Sequence, residues 1–172
     1  YSFPPWQILF GGQFATVYVS VVYFGLTNPS MYVNPMPKKS PPSKPAMREI
    51  RRQIVKTLGA RIEVVRQGKA RANRGPVLVL HSEDAYESEL PLIDELAEKR
   101  EVIQFRMPGY GKSSLPDWLR TIDDISYLYL DILGQLDLKK VSVLGFSVGG
   151  WIAAEMASKS CERLQKLVLT GA

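Results

Sequence analysis

The chain has 172 residues, enough for one domain and an appendage, and its net charge of +5 is local in origin. Residues 1–37 carry no charged side chain, residues 38–56 carry seven Lys and Arg against the single Glu49, and residues 57–172 are near neutral with 15 basic and 16 acidic side chains. That balance argues against a nucleic-acid-binding surface, and the lone Cys161 excludes an internal disulfide and a cysteine metal cluster, so no nucleic acid, metal or cofactor is expected.

The first zone is an apolar run from Ile8 to Leu26, in which Gln13, Thr16 and Ser20 are the clearly polar members. Its length suffices to cross about 30 Å of hydrocarbon as a helix, and Trp6 and Tyr32 flank it as interfacial aromatics do. Residues 1–26 therefore read as a single membrane-spanning segment in contact with lipid, with a helix docked on a partner as the alternative. No positive charge precedes the run and no small-residue cleavage site follows it, which argues against a secretory signal.

From Thr27 to about Lys56 six prolines deny regular structure, so residues 27–49 read as an extended linker leading to a domain at 50–172. Its basic block places the following domain on the cytoplasmic side of a membrane, or the matrix side in a mitochondrion. No internal repeat is visible.

Beyond the linker, strand-like and helix-like stretches alternate. Arg61–Val65 alternates as a half-buried strand, and Pro76–Leu80 is a continuous apolar run suited to a strand buried on both faces. Glu89–Arg100 has helical spacing, and Glu101–Phe105 is a further strand. A helix capped by Asp123 or Asp124 runs through Leu136, then come a strand at Val141–Leu144, a helix at Gly149–Ser160 and a strand at Leu167–Leu169. This order predicts an α/β fold with a doubly wound, mostly parallel sheet.

The strand at Val141–Leu144 runs directly into Gly145-Phe146-Ser147-Val148-Gly149. A serine between glycines two residues away on either side can occupy a tight strand-to-helix turn, where a larger residue at 145 or 149 would clash with neighbouring backbone. Such a turn exposes the Ser147 hydroxyl as a nucleophile and aims the Val148 amide at the place where an oxyanion would form. Only 25 residues follow Ser147 and none is histidine; the sole histidine, His81, precedes it. Gly109-Tyr110-Gly111-Lys112-Ser113 looks like the end of a phosphate-binding loop, but Arg106 stands where that motif requires glycine.

Three landmarks in order, Val79-Leu80-His81-Ser82, Pro108-Gly109-Tyr110-Gly111-Lys112-Ser113 and the Gly145–Gly149 turn, carry a resemblance. Residues 50–172 resemble the N-terminal two-thirds of an α/β-hydrolase-fold domain, and Leu167–Ala172 is similar to that family's sixth strand. The resemblance implies a serine hydrolase lineage acting on a small ester, amide or similar bond, with Ser147 catalytic and Val148 donating one oxyanion hydrogen bond. A second donor is implied just after His81, at Ser82 or Glu83, and His81 itself is implied to support that loop. The family's His-Gly-x-x-Gly is replaced by His81-Ser82-Glu83-Asp84-Ala85, which brings carboxylates next to an anion site. The family's last two strands, its acid and its catalytic histidine have no counterpart in these residues, so the chain alone is expected to be inactive, with a sheet edge left open.

At the other end, Phe3-Pro4-Pro5-Trp6-Gln7-Ile8-Leu9 is similar to the small single-span subunit k of mitochondrial ATP synthase. That resemblance implies a non-catalytic alternative: an accessory subunit of an inner-membrane complex, with the hydrolase relic as a docking domain among partner subunits. The fold is common to both alternatives and does not decide between them.

Overall fold

The computed structural model describes residues 6–10, 13–20, 49–71, 74–83 and 90–171. The linker up to residue 48 and Asp84 and Ala85 lie outside the described residues. The elements are β1 (Trp6–Phe10), β2 (Gln13–Ser20), β3 (Arg51–Thr57), β4 (Ala60–Gln67), β5 (Val77–Leu80), α1 (Leu90–Lys99), β6 (Val102–Phe105), α2 (Ile122–Gln135), β7 (Val141–Phe146), α3 (Val148–Lys159) and β8 (Leu164–Thr170). The eight strands form one sheet in the order β1-β2-β8-β7-β5-β6-β4-β3. Strands β6, β5, β7 and β8 run parallel, while β3–β4 and β4–β6 pair antiparallel. The sheet was expected to be mostly parallel; it is mixed, parallel through its centre and antiparallel at both margins.

Strand β5 shows why this sheet has helices on both faces. All four of its residues are buried, because side chains alternate across a sheet and each face is covered. Leu78 and Leu80 belong to one apolar cluster with Ile103, Phe105, Leu128, Ile132, Ile152 and Met156, packing α2 and α3. Val77 and Val79 belong to a second cluster with Ile93, Ala97 and Val102, packing α1 on the opposite face. Burying each such side chain contributes roughly 1.5–3 kcal/mol.

Two expectations are corrected. Regular structure was not expected before about Lys56, but Arg51–Thr57 is a strand paired residue by residue with β4. Leu58 and Gly59 both have positive φ, 50° and 76°, the geometry of a two-residue hairpin turn. Two basic residues on this strand have acidic partners: Arg52 pairs with the buried Glu63 at 3.1 Å, and Arg51 with Glu101 at 3.3 Å. The cap of α2 is Thr121 rather than Asp123 or Asp124. Its hydroxyl accepts from the Asp124 amide at 3.1 Å, and the Asp124 carboxylate accepts from the Thr121 amide at 2.9 Å, a reciprocal capping box.

The apolar run Ile8–Leu26 was expected as one membrane-spanning helix. Its described part is β1 and β2 rather than one helix; residues 11–12 and 21–26 lie outside the described residues. Among the described residues no helix is long and apolar enough to cross a membrane. Val17, Tyr18 and Val19 are residue types that favour strands, and β2 pairs parallel with β8 through Thr16–Ser20, covering the edge that was expected to stay open.

Candidate active site

Three loops meet at the carboxyl ends of β5, β6 and β7, where open α/β sheets place their ligands. The first is His81–Glu83, the second is the Pro108–Ser113 turn, and the third is the turn from β7 into α3 at Ser147.

Ser147 has φ 48° and ψ −118°, a conformation that costs a non-glycine residue about 1–3 kcal/mol. The surrounding backbone enforces it. The Ser147 amide donates to the Thr170 carbonyl at 3.0 Å, and the Ser147 carbonyl accepts from the Gly150 amide at 2.8 Å, starting α3. A Cβ on Gly145 would lie 2.5 Å from the Gly149 carbonyl oxygen and 2.6 Å from Gly150 Cα. A Cβ on Gly149 would collide with the Leu80 carbonyl. Both glycines are therefore required by close backbone approach, as the sequence spacing implied.

His81 is buried and engaged on both ring nitrogens. Its Nε2 accepts from the Met107 amide at 3.1 Å, so Nδ1 carries the proton and donates to the Ser82 carbonyl at 2.7 Å. Burial holds its pKa below the ordinary histidine value, and the Arg106 charge acts in the same direction, against the Ser82 hydrogen bond. His81 thus ties the first loop to the second and is not positioned to take a proton from Ser147. Tyr110 reinforces this tie: its ring lies edge-on to His81 with centroids 5.3 Å apart, and its hydroxyl donates to the Glu83 carbonyl at 2.9 Å.

The glycine-rich turn is held by a carboxylate. Glu63 Oε2 accepts from the Lys112 amide at 3.1 Å, and Ser113 Oγ donates to the Arg106 carbonyl at 2.9 Å while accepting from the Glu63 amide at 3.0 Å. An acidic group on the turn's own amide is hostile to phosphate, in keeping with setting aside a nucleotide role. Trp151 is exposed on the first turn of α3, and Cys161 is a free, half-buried thiol. Among the described residues no group of His, Cys, Asp or Glu could hold a metal ion.

The expected donors converge on an unexpected acceptor. Ser147 Oγ donates to Glu83 Oε1 at 3.0 Å, and the Val148 amide approaches Glu83 Oε2 at 3.5 Å. The Glu83 carboxylate also accepts from its own backbone amide, and that bond, followed by the one from Ser147, holds its pKa below the usual carboxylate value. Glu83 was expected only as a backbone donor. The residue types at 82–85 marked the departure from the family, but nothing in the chain order told that this side chain folds back over the nucleophile. Ser82 instead offers its carbonyl to His81.

Residues 75–172 match the alpha/beta hydrolase fold family. The chain belongs to that family. A poly(3-hydroxyalkanoate) depolymerase from Ectopseudomonas oleovorans is 37% identical over 106 residues, covering 61% of this chain and 37% of that protein. A 2-hydroxymuconate semialdehyde hydrolase from Pseudomonas sp. strain CF600 is 33% identical over 81 residues, covering 46% of this chain and 29% of that protein. Among solved structures, an alpha/beta hydrolase fold protein from Chitinophaga pinensis superposes with a TM-score of 0.61 at 26% identity, covering 70% of this chain and 44% of the other. The chain spans less than half the length of each of these relatives. In this alpha/beta hydrolase fold protein, the matched region holds β5 to β8 and all three loops of the site.

Proposed function

We propose that Ser147 is the nucleophile of a hydrolase that cleaves carboxylic esters or amides through an acyl-enzyme. The observation that carries this reading is the strained Ser147 turn, wedged between two glycines that no larger residue can replace, with the Val148 amide beside the hydroxyl. Hydrolytic relatives named for a polymer depolymerase and a semialdehyde hydrolase support the reaction type. In the first step Ser147 Oγ bonds to the substrate carbonyl carbon, and the carbonyl electron pair moves to oxygen. The amides of Val148 and Glu83 are the donors for that oxyanion. Collapse expels the alcohol or amine with a proton, and water then releases the acid and restores Ser147. Both nitrogens of His81 are engaged, so His81 is not the base of this step.

The test is phosphonylation of the full-length protein by a fluorophosphonate, in which Oγ bonds to phosphorus and fluoride leaves. Labelling is expected at Ser147 and is abolished in Ser147→Ala; absence of label on folded protein overturns the reading. Membrane attachment is a separate proposal, supported by the uncharged, apolar composition of residues 1–37. Retention in the membrane pellet after alkaline carbonate extraction is its expected outcome, and release to the supernatant rejects it.

A further inference from the structure

We infer that the Glu83 carboxylate is the resident anion of the oxyanion hole, and that a cation on the substrate is what draws it off. The inference rests on the nucleophile reading above and names a substrate class for it: esters or amides that carry a quaternary or protonated amine near the scissile bond.

The geometry begins with the loop. Its backbone is pinned twice, by the His81 Nδ1–H bond to the Ser82 carbonyl at 2.7 Å and by the Tyr110 hydroxyl on the Glu83 carbonyl at 2.9 Å. From that anchored position the Glu83 side chain meets Ser147 Oγ at 3.0 Å through one oxygen and approaches the Val148 amide at 3.5 Å through the other. A carboxylate oxygen beside the Val148 amide puts negative charge where that amide would meet an oxyanion. A substrate carbonyl must displace it, and a negative charge left beside the hole opposes the developing oxyanion.

Action as a base is the competing role for this carboxylate, and the contacts argue against it. The group that would take the Ser147 proton also lies over Val148, so it cannot serve as acceptor while leaving that amide to the oxyanion. Glu83 has no Lys, Arg or His partner among the described residues, where it meets Ser147, Val148, Tyr110 and its own amide. An exposed carboxylate at a nucleophile, with no cationic partner among the described residues, can take that partner from a cationic substrate. Pairing with that cation would turn the carboxylate outward, vacate the hole and orient the substrate in one movement.

The experiment has two arms on the full-length protein. In the first, a fluorophosphonate with a neutral tert-butyl-ended chain is compared with its quaternary ammonium isostere on wild type and Glu83→Ala. The expected result is that wild type labels at Ser147 about tenfold faster with the cationic probe, and that Glu83→Ala labels at similar rates with both, the neutral probe having gained. Equal rates in wild type, a preference that persists in Glu83→Ala, or slower labelling of Glu83→Ala by both probes overturns the inference; the last would make Glu83 an activator of Ser147. In the second arm, the ¹⁵N–¹H signal of Val148 is followed while butyrate is added. Butyrate is expected to shift it saturably in Glu83→Ala and to leave it in place in wild type, and an equal response of the two proteins, or none in either, overturns occupancy of the hole. If neither probe labels either protein, the nucleophile reading fails, and the butyrate arm alone still decides whether Glu83 fills the hole.

Discussion

Ser147 stores strain that a glycine would not feel. Replacing it with glycine relieves about 1–3 kcal/mol of backbone cost and forfeits about 0.5–1 kcal/mol through the more flexible unfolded chain. Ser147→Gly is therefore expected to be more stable than Ser147→Ala by about 1 kcal/mol, measured by urea denaturation, although both lose the hydroxyl. His81 gives a second residue-scale expectation. Its folded pKa lies below the ordinary value of 6.5, so between those two values the unfolded chain binds more protons than the folded one. The stabilisation is fully present above about pH 6.5 and is lost as pH falls through the folded pKa. The melting temperature should fall between pH 7 and pH 5, and the decline should flatten in His81→Asn; an unchanged slope would contradict the buried, neutral histidine. Of these residues, Ser147, Val148, Gly145 and Gly149 were legible from spacing, because a strand-to-helix turn leaves a local signature. The fold of the Glu83 carboxylate onto Ser147 was not, since it joins positions 64 residues apart.

At the scale of elements, helix α2 shows how a short-range rule can be read one turn out of place. Asp123 and Asp124 are both good capping types, and either could begin the helix. The structure uses Thr121 as the cap and Asp124 as the residue that reaches back to it, so Asp124 contributes through the first turn. Thr121→Ala should destabilise the protein by about 1 kcal/mol, read as a lower denaturant midpoint at constant m. Strand β3 was hidden for a different reason. Its outward side chains are Arg52, Ile54 and Lys56, and its buried ones are only Val55 and Thr57, so the apolar alternation is too short to stand out from a basic linker. Pairing with β4 and ion pairs to Glu63 and Glu101 provide what the local sequence lacks.

Over the whole molecule, stability is concentrated where the parallel strands are covered on both sides. Leu78, wholly buried in β5, packs in the cluster shared with α2 and α3. Leu78→Ala should cost about 2–5 kcal/mol in urea unfolding, and a loss below 1 kcal/mol would mean that this face is less tightly packed than the structure indicates. The sequence alone determined the order of strands and helices from β4 onward, the buried character of the parallel strands and the serine turn. Each of these depends on residues within a few positions of one another, where periodicity, glycine placement and hydrophobic runs act. Tertiary structure decided the pairing of β3 with β4, of β2 with β8, the engagement of both His81 nitrogens and the contact of the Glu83 carboxylate with Ser147. Apart from the β3–β4 hairpin and the His81–Ser82 bond, these features join groups far apart in the chain, whose energies exist only once backbone hydrogen bonds and packing have brought them within a few ångströms.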